Sequence, residues 1–302
     1  MTLPAIVNAA YEEGKQRRTP MSRTNSLPVL GVALTLDELE GVEGLKAFVL
    51  GADRDVEVRD FIPVGAIGQD WRAIGRRGRK ALEGHRGRIG IHGPYEGLLV
   101  DTPDPEVRAI VQRRFLDALD GLAVMAEGRG AAHMVLHSPY TTWHAHNRGT
   151  EWDDCAGILA RTHATLTPVV RRAEALGVTL VLENCEDVDP AERVALAASF
   201  GSAAVAVSLD TGHAQYAHRA TGAPPVDAFV RAAGASLAHV HVQDADGWGD
   251  RHWPIGQGNI PWAAVFAALA GLAVMPRLIL ELADVRGVFA SARWLEAQGL
   301  AR

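Results

Sequence analysis

Short apolar, β-branched runs alternate along most of this chain with longer stretches whose apolar residues recur every three or four positions. The short runs predict strands at Val29–Leu34, Val56–Phe61, Arg88–His92, His133–His137, Val178–Glu183, Ala204–Asp210, Leu237–Gln243 and Arg277–Leu282. Lys46–Leu50 competes with Val56–Phe61 for the second place in that series. The 3.6-residue period predicts helices over Pro105–Glu127, Asp154–Leu176, Asp189–Ser199, Val226–Ala233, Pro261–Leu272 and Val288–Gln298. In the first of these, Val107, Ile110, Val111, Phe115, Leu119, Leu122 and Val124 keep close to that period, and Asp104 ahead of Pro105 makes an N-cap with proline in the first turn.

Strand–helix alternation repeated about eight times over roughly 270 residues predicts parallel strands closed into a barrel by outer helices. The strands are near-continuous apolar runs, as strands covered on both faces should be. A doubly wound open sheet is the alternative. No glycine-rich phosphate loop follows the first strand, which counts against it and against a nucleotide cofactor. The expected architecture is a single (β/α)8 TIM barrel over residues 29–302, preceded by a polar arm over residues 1–28.

Composition narrows the classes. The chain has 302 residues, 48% hydrophobic and 22% charged, with a formal net charge of −6. That excludes a disordered chain and a strongly basic nucleic-acid coat. No apolar run approaches the roughly 20 residues that span a bilayer. The N-terminus lacks a basic segment followed by a long apolar one, so no signal peptide is expected. Cys155 and Cys185 are the only cysteines, too few for a disulfide framework and suited to a reducing cytoplasm. A homo-oligomer is compatible with all of this.

The chemistry lies at the strand ends. Consecutive predicted strands finish on or carry His92, His137, Glu183, Asp210, His241 and Glu281. In a barrel these ends converge on one face, where active sites sit. Unpaired, such groups are costly to bury, and a divalent cation removes the cost. Nitrogen and oxygen donors without sulfur point to Zn, Mn, Co or Mg. Taken singly, a strand-end histidine is a hydrogen-bonded loop anchor, and His92 and His137 fall most easily to that reading. Glu183 and Glu281 resist it, because each ends an apolar run (VTLVLE, RLILE). Two further clusters lie in loops: Asp210-Thr211-Gly212-His213, and Asp250 with His252. Asp244 and Asp246 read as loop-capping residues.

These motifs resemble the superfamily of xylose isomerase-like TIM barrels, which includes sugar isomerases and epimerases together with the endonuclease IV type of DNA-repair enzyme. The resemblance covers about residues 88–282 and rests on IHGPY (91–95), VLHSP (135–139), LVLEN (180–184), SLDTGH (208–213), HVHVQD (239–244), DRHWPIGQGNIPW (250–262) and LILEL (278–282). Gln257 departs from the acidic residue more usual in that turn. By resemblance to the epimerases, one divalent metal is held by Glu183, Asp210, His241 and Glu281, with Glu183 and Glu281 as the catalytic acid–base pair. By resemblance to the nuclease branch, His92 and His137 join Glu183 at one zinc, Asp210, His241 and Glu281 share Glu183 at another, and His213, Asp250 and His252 hold a third.

Three functions follow from these readings. The favoured one is an isomerase or epimerase of a small sugar, sugar phosphate or polyol, with His92, His137, His213 and His252 free to bind substrate. Dehydratase or lyase chemistry starts from the same proton abstraction. The second is a zinc phosphodiesterase acting on abasic DNA, for which Arg72–Arg88 is the candidate basic surface; its blander reading is a solvated helix face plus a loop. The third is a non-catalytic metabolite sensor. Trp143, Trp248, Trp253 and Trp262 are candidates to stack on a sugar or a base, with Trp262 also reading as the start of a helix.

Overall fold

A computed structural model describes residues 27–302, so the arm expected over residues 1–28 falls, save its last two residues, outside the described part. Eight strands form a closed, all-parallel barrel in sequence order. They are β1 (Leu30–Leu34), β2 (Val56–Val58), β3 (Ile89–His92), β4 (Ala132–His137), β5 (Val178–Glu183), β6 (Val205–Asp210), β7 (Leu237–Val242) and β8 (Arg277–Leu280). Closure is made by β8 against β1, with Leu30 opposite Leu278 and Val32 opposite Leu280.

The helices are α1 (Leu36–Gly41), α2 (Leu45–Gly51), α3 (Trp71–Ala81), α4 (Pro105–Met125), α5 (Thr142–His146), α6 (Cys155–Leu176), α7 (Pro190–Ser199), α8 (Thr211–Thr221), α9 (Val226–Ala233), α10 (Trp262–Ala270) and α11 (Val288–Ala297). All six predicted helices form, with ends displaced by at most two residues. As expected, the Asp104 carboxylate caps α4 by accepting from the Glu106 and Val107 N–H groups. Gly177 ends α6 with φ +65°. None of the described helices is long and apolar enough to cross a membrane.

Three expectations need correction. Asp210-Thr211-Gly212-His213 is no loop, because Asp210 ends β6 and caps α8, which puts His213 in the first turn of that helix. Lys46–Leu50 belongs to α2 and is no strand. The second strand stops at Val58 rather than Phe61, because Asp60 turns away to accept the Leu36 N–H at 2.8 Å and so ties the β2 exit to the start of α1.

Strand parity then decides what faces inward. Val240 and Val242 of β7 pack with the apolar layer under the helices, so His239 and His241 point into the barrel. Likewise Val56 and Val58 face out and Glu57 faces in. The barrel interior is therefore unusually polar. His92, His137, Glu183, Asp210, His241 and Glu281 crown it at the C-terminal ends of the strands, and Glu57, His133, His239 and Arg277 lie deeper.

The basic segment is a solvated, ion-paired surface. Along α3, Arg72 pairs with Asp120, Arg76 with Asp70, Arg77 with Asp37 and Glu40, and Arg79 with Glu127. Arg86 and Arg88 pair with Asp53 and Asp55 just before β3 begins, at the barrel end opposite the crown.

Candidate metal centre

Three groups of potential ligands converge at the crown, each with its ligand atoms within 4.8 Å of one another: His92, His137 and Glu183; Glu183, Asp210, His241 and Glu281; His213, Asp250 and His252. Glu183 belongs to two of them. Its Oε1 lies 2.5 Å from His241 Nδ1. Its Oε2 is buried without a hydrogen bond, 3.5 Å from His92 Nε2 and 3.7 Å from His137 Nε2. Those separations are too long for hydrogen bonds. They are close to the ~3.3 Å between ligand atoms that bond lengths of about 2.0–2.1 Å impose around a tetrahedral ion. A buried carboxylate oxygen aimed between two imidazoles, with no donor of its own, fits a divalent cation.

The orientation of the imidazoles supports the same fit. His92 Nδ1 lies 2.9 Å from the Gly93 carbonyl, His213 Nδ1 2.8 Å from that of Asn184, and His252 Nδ1 3.0 Å from that of Glu281. A carbonyl only accepts, so each ring carries a proton on Nδ1 and leaves Nε2 facing the centre, where an ion would displace any proton on it. His213 Nε2 and His252 Nε2 then approach Asp250 at 3.3 and 3.0 Å. His252 holds this position in the left-handed region, at φ 47°. Such backbone persists only where its surroundings over-determine it. Here its N–H donates to Gln243 Oε1 at 2.8 Å and its carbonyl accepts from Ala283 N–H at 2.9 Å.

Several residues that carry the site were not singled out from the sequence. Gln243 donates to Asp210 and to Asp250, joining two ligand groups. A Cβ at Gly212 would lie 2.2 Å from the Gln243 side chain, which explains the glycine in Asp-Thr-Gly-His. Asn184 pairs with the Asp210 backbone through both N–H and C=O, locking the ends of β5 and β6 together. Asp210 also caps α8 by accepting the His213 N–H at 2.7 Å. The deepest omission is Glu57, fully buried among His133, His239 and His241. The one available signal was a carboxylate flanked by two valines of a strand.

A cavity of about 460 Å³ opens above the crown, lined among others by Tyr95, His137, Glu183, Trp248, His252 and Glu281. A more apolar hollow of about 270 Å³ adjoins it through Tyr95 and His137. Of the four tryptophans expected near the mouth, Trp248 alone lines the larger cavity. Trp143 is exposed elsewhere, and Trp262 is buried at the start of α10 with its indole N–H donating to Asp244. Trp253 is likewise tied to Asp244, through paired backbone bonds. Asp244 caps this loop further, accepting from the N–H groups of Ala245 and Gly256.

The carboxylates dominate the local electrostatics. For Glu183, burial opposes the charge, but His241 and His92 hold its carboxyl well below the usual range. Burial and the neighbouring His92 charge push His137 down to about 3. Burial also opposes the charge on His252, yet the hydrogen bond to Asp250 and the charges of Glu281 and Asp210 outweigh it and raise His252 to about 9. A raised folded-state pKa stabilises the protein fully below the unfolded value of about 6.5 and loses that effect as pH rises through the folded one. In chelator-treated protein, Asp250→Asn is therefore expected to lower the melting temperature by its full amount at and below about pH 6.5, the deficit shrinking as pH rises through about 9. Thermal melts of both proteins across that window check it, and a deficit independent of pH would refute it.

Fold and crown together define a (β/α)8 barrel whose C-terminal face gathers imidazoles and carboxylates. The chain belongs to the xylose isomerase-like TIM barrel family, whose model matches residues 44–298. It is 25% identical over 217 residues to the uncharacterized protein MJ1311 of Methanocaldococcus jannaschii, covering 69% of each chain. Among solved structures it is similar to the TTHB071 protein of Thermus thermophilus, soaked with ZnCl2, at 26% identity and TM-score 0.66 over 89% of this chain and 96% of that one. A D-tagatose 3-epimerase-like protein shares the fold at 20% identity and TM-score 0.69, over 89% and 96% of the two chains.

Proposed function

We propose that this protein is a metal-dependent isomerase or epimerase of a small sugar, sugar phosphate or polyol, with Glu183 and Glu281 as its proton-transfer pair. One observation carries the reading. Glu183, Asp210, His241 and Glu281 share one ligand cluster, yet only the two glutamates also line the cavity. Asp210 and His241, both fully buried, would hold an ion from beneath, while the glutamates face whatever fills the cavity.

Bound there, a divalent ion would polarise a substrate carbonyl and acidify the neighbouring C–H bond. The chain's own groups do the rest. One glutamate takes the proton from carbon, and the other delivers a proton to the opposite face or to the next carbon. Tyr95 and Trp248 offer aromatic surfaces at the mouth, and His92, His137, His213 and His252 offer polar ones to hydroxyl groups. A dehydratase or lyase would use the same first step. The likeness to structures of sugar epimerases supports this chemistry through the shared fold.

The test is hydrogen exchange. Protein loaded in turn with Mn, Co, Zn or Mg is incubated with a panel of ketoses and aldoses in D2O and followed by NMR. Deuterium is expected at the carbon next to the carbonyl of at least one sugar. No exchange at full metal occupancy would overturn the reading.

A second reading has its own observation. All nine ligands that resemblance to the nuclease branch assigns fall into three clusters. A zinc phosphodiesterase acting on abasic DNA would use that set. The ion pairing of Arg72–Arg88 counts against it, since a DNA-binding face needs unpaired positive charge. Metal content separates the two: about three zinc ions per chain favours the hydrolase and one ion favours proton transfer. Cleavage of an abasic oligonucleotide would reverse the ranking.

A further inference from the structure

We propose that Glu57 is the positioning residue of the centre: it sets the tautomer of His241, and His133 and Arg277 fix Glu57 in turn. The inference rests on the metal-centre reading and assigns a role to a group outside the ligand set.

His241 differs from the other imidazoles at the crown. Its Nδ1, not Nε2, faces the carboxylates, 2.5 Å from Glu183 and 3.3 Å from Glu281. Its Nε2 lies 2.8 Å from Glu57 Oε1. His92, His213 and His252 are each oriented by a backbone carbonyl. For His241 that part falls to a carboxylate buried completely inside the barrel.

The protons along this chain follow from the donors. The Arg277 guanidinium can only donate, and its NH1 lies 2.5 Å from His133 Nδ1. His133 therefore accepts at Nδ1 and donates from Nε2, at 2.7 Å, to Glu57 Oε2. Glu57 Oε1 is left to accept from His241 Nε2–H. That assignment leaves the Nδ1 lone pair of His241 free for an ion. Further donations to the Ile89 and Ala131 carbonyls hold Arg277 itself in place.

Glu57, His239 and His241 also form a group with ligand atoms within 4.8 Å of one another. A cation among them is disfavoured. His241 Nε2 carries a proton, and Ser208 Oγ, 2.8 Å from His239 Nδ1, orients that ring so that its Nε2 faces Glu57 at 3.1 Å. Glu57 already has the Arg277 guanidinium as its counter-charge at the far end of the chain. The packing is built around this arrangement: Gly90 lies opposite His133 in the sheet, and a Cβ there would sit 2.0 Å from the His133 ring.

Glu57→Gln tests the idea, because it keeps the shape and changes one acceptor to a donor. Arg277 keeps His133 a donor, so the amide oxygen must face His133 and the NH2 must face His241. His241 then accepts at Nε2 and carries its proton on Nδ1, where the ion should bind. Cobalt(II) titrations followed by visible absorption are expected to show affinity about 10- to 100-fold weaker than wild type, as for other outer partners of metal-bound histidines. The melting temperature of the chelator-treated variant is expected to fall, because Arg277 loses its buried counter-charge, so the deciding readout is the cobalt affinity of the folded variant. A folded Glu57→Gln protein with wild-type cobalt affinity and spectrum overturns the proposal, as does a lower melting temperature with affinity unchanged. Wild-type protein that takes up no cobalt overturns the metal reading as well, so the two failures are distinguishable. If the variant does not fold, ¹⁵N-histidine NMR of zinc-loaded wild type decides: a protonated Nε2 on His241 supports the assignment and a protonated Nδ1 overturns it.

Discussion

Glu183→Gln is expected to lower turnover by about 10²- to 10⁴-fold on any sugar the protein accepts, the range for losing one positioned proton-transfer group. The substitution keeps the side chain's volume and removes its charge. Glu183 touches the centre with both oxygens, one beside His241 and one between His92 and His137. Loss of ion binding and loss of proton transfer are therefore both at stake. Steady-state kinetics at saturating metal, with metal content measured by mass spectrometry on the same samples, tells them apart. Turnover within about tenfold of wild type at full occupancy would remove Glu183 from the chemistry.

The largest stability effect is expected away from the ligands. Arg193 is fully buried and donates at 2.9 Å to Asp187, itself 1% exposed. Asp187 also accepts from Ser138 Oγ and the Cys185 N–H. This ion pair ties the loop after β5 to α7, and the Ser138 bond ties the same loop to the one after β4, so together they brace the segment beside Glu183. Arg193→Met should cost about 3–5 kcal/mol, because it leaves a buried carboxylate without its counter-charge. Burial already pushes the Asp187 carboxyl upward, and losing Arg193 would push it further the same way. Urea unfolding at pH 7 measures the loss. Adding Asp187→Asn to the same chain should recover part of it, and a single variant within about 1 kcal/mol of wild type would contradict the assignment.

Much of the centre was legible because it is written at strand ends. An apolar run closing on His or Glu is a local pattern, and parallel closure carries all such ends to one face. Alternation along β7 likewise puts His239 and His241 on one side of that strand. Glu57 escaped because β2 has three residues, too short for its period to separate an inward carboxylate from a surface one. α1 and α2 escaped for a related reason, at six and seven residues, about two turns or less. Arg277 opens β8 as a charged residue that reads as strand punctuation; its burial depends on β3 and β4, which are distant in the chain.

By itself the chain determined its eightfold alternation, the helix caps and the residues that crown the barrel, since each depends on neighbours within a few positions. Tertiary structure alone decided which lone pair each crown histidine presents and what stands beneath them. Glu57 is 76 residues from His133 and 184 from His241, and these groups meet only when the barrel closes. Inside, with little water to solvate them, each buried polar group must find its partner across the barrel, and that requirement sets the geometry a metal would meet.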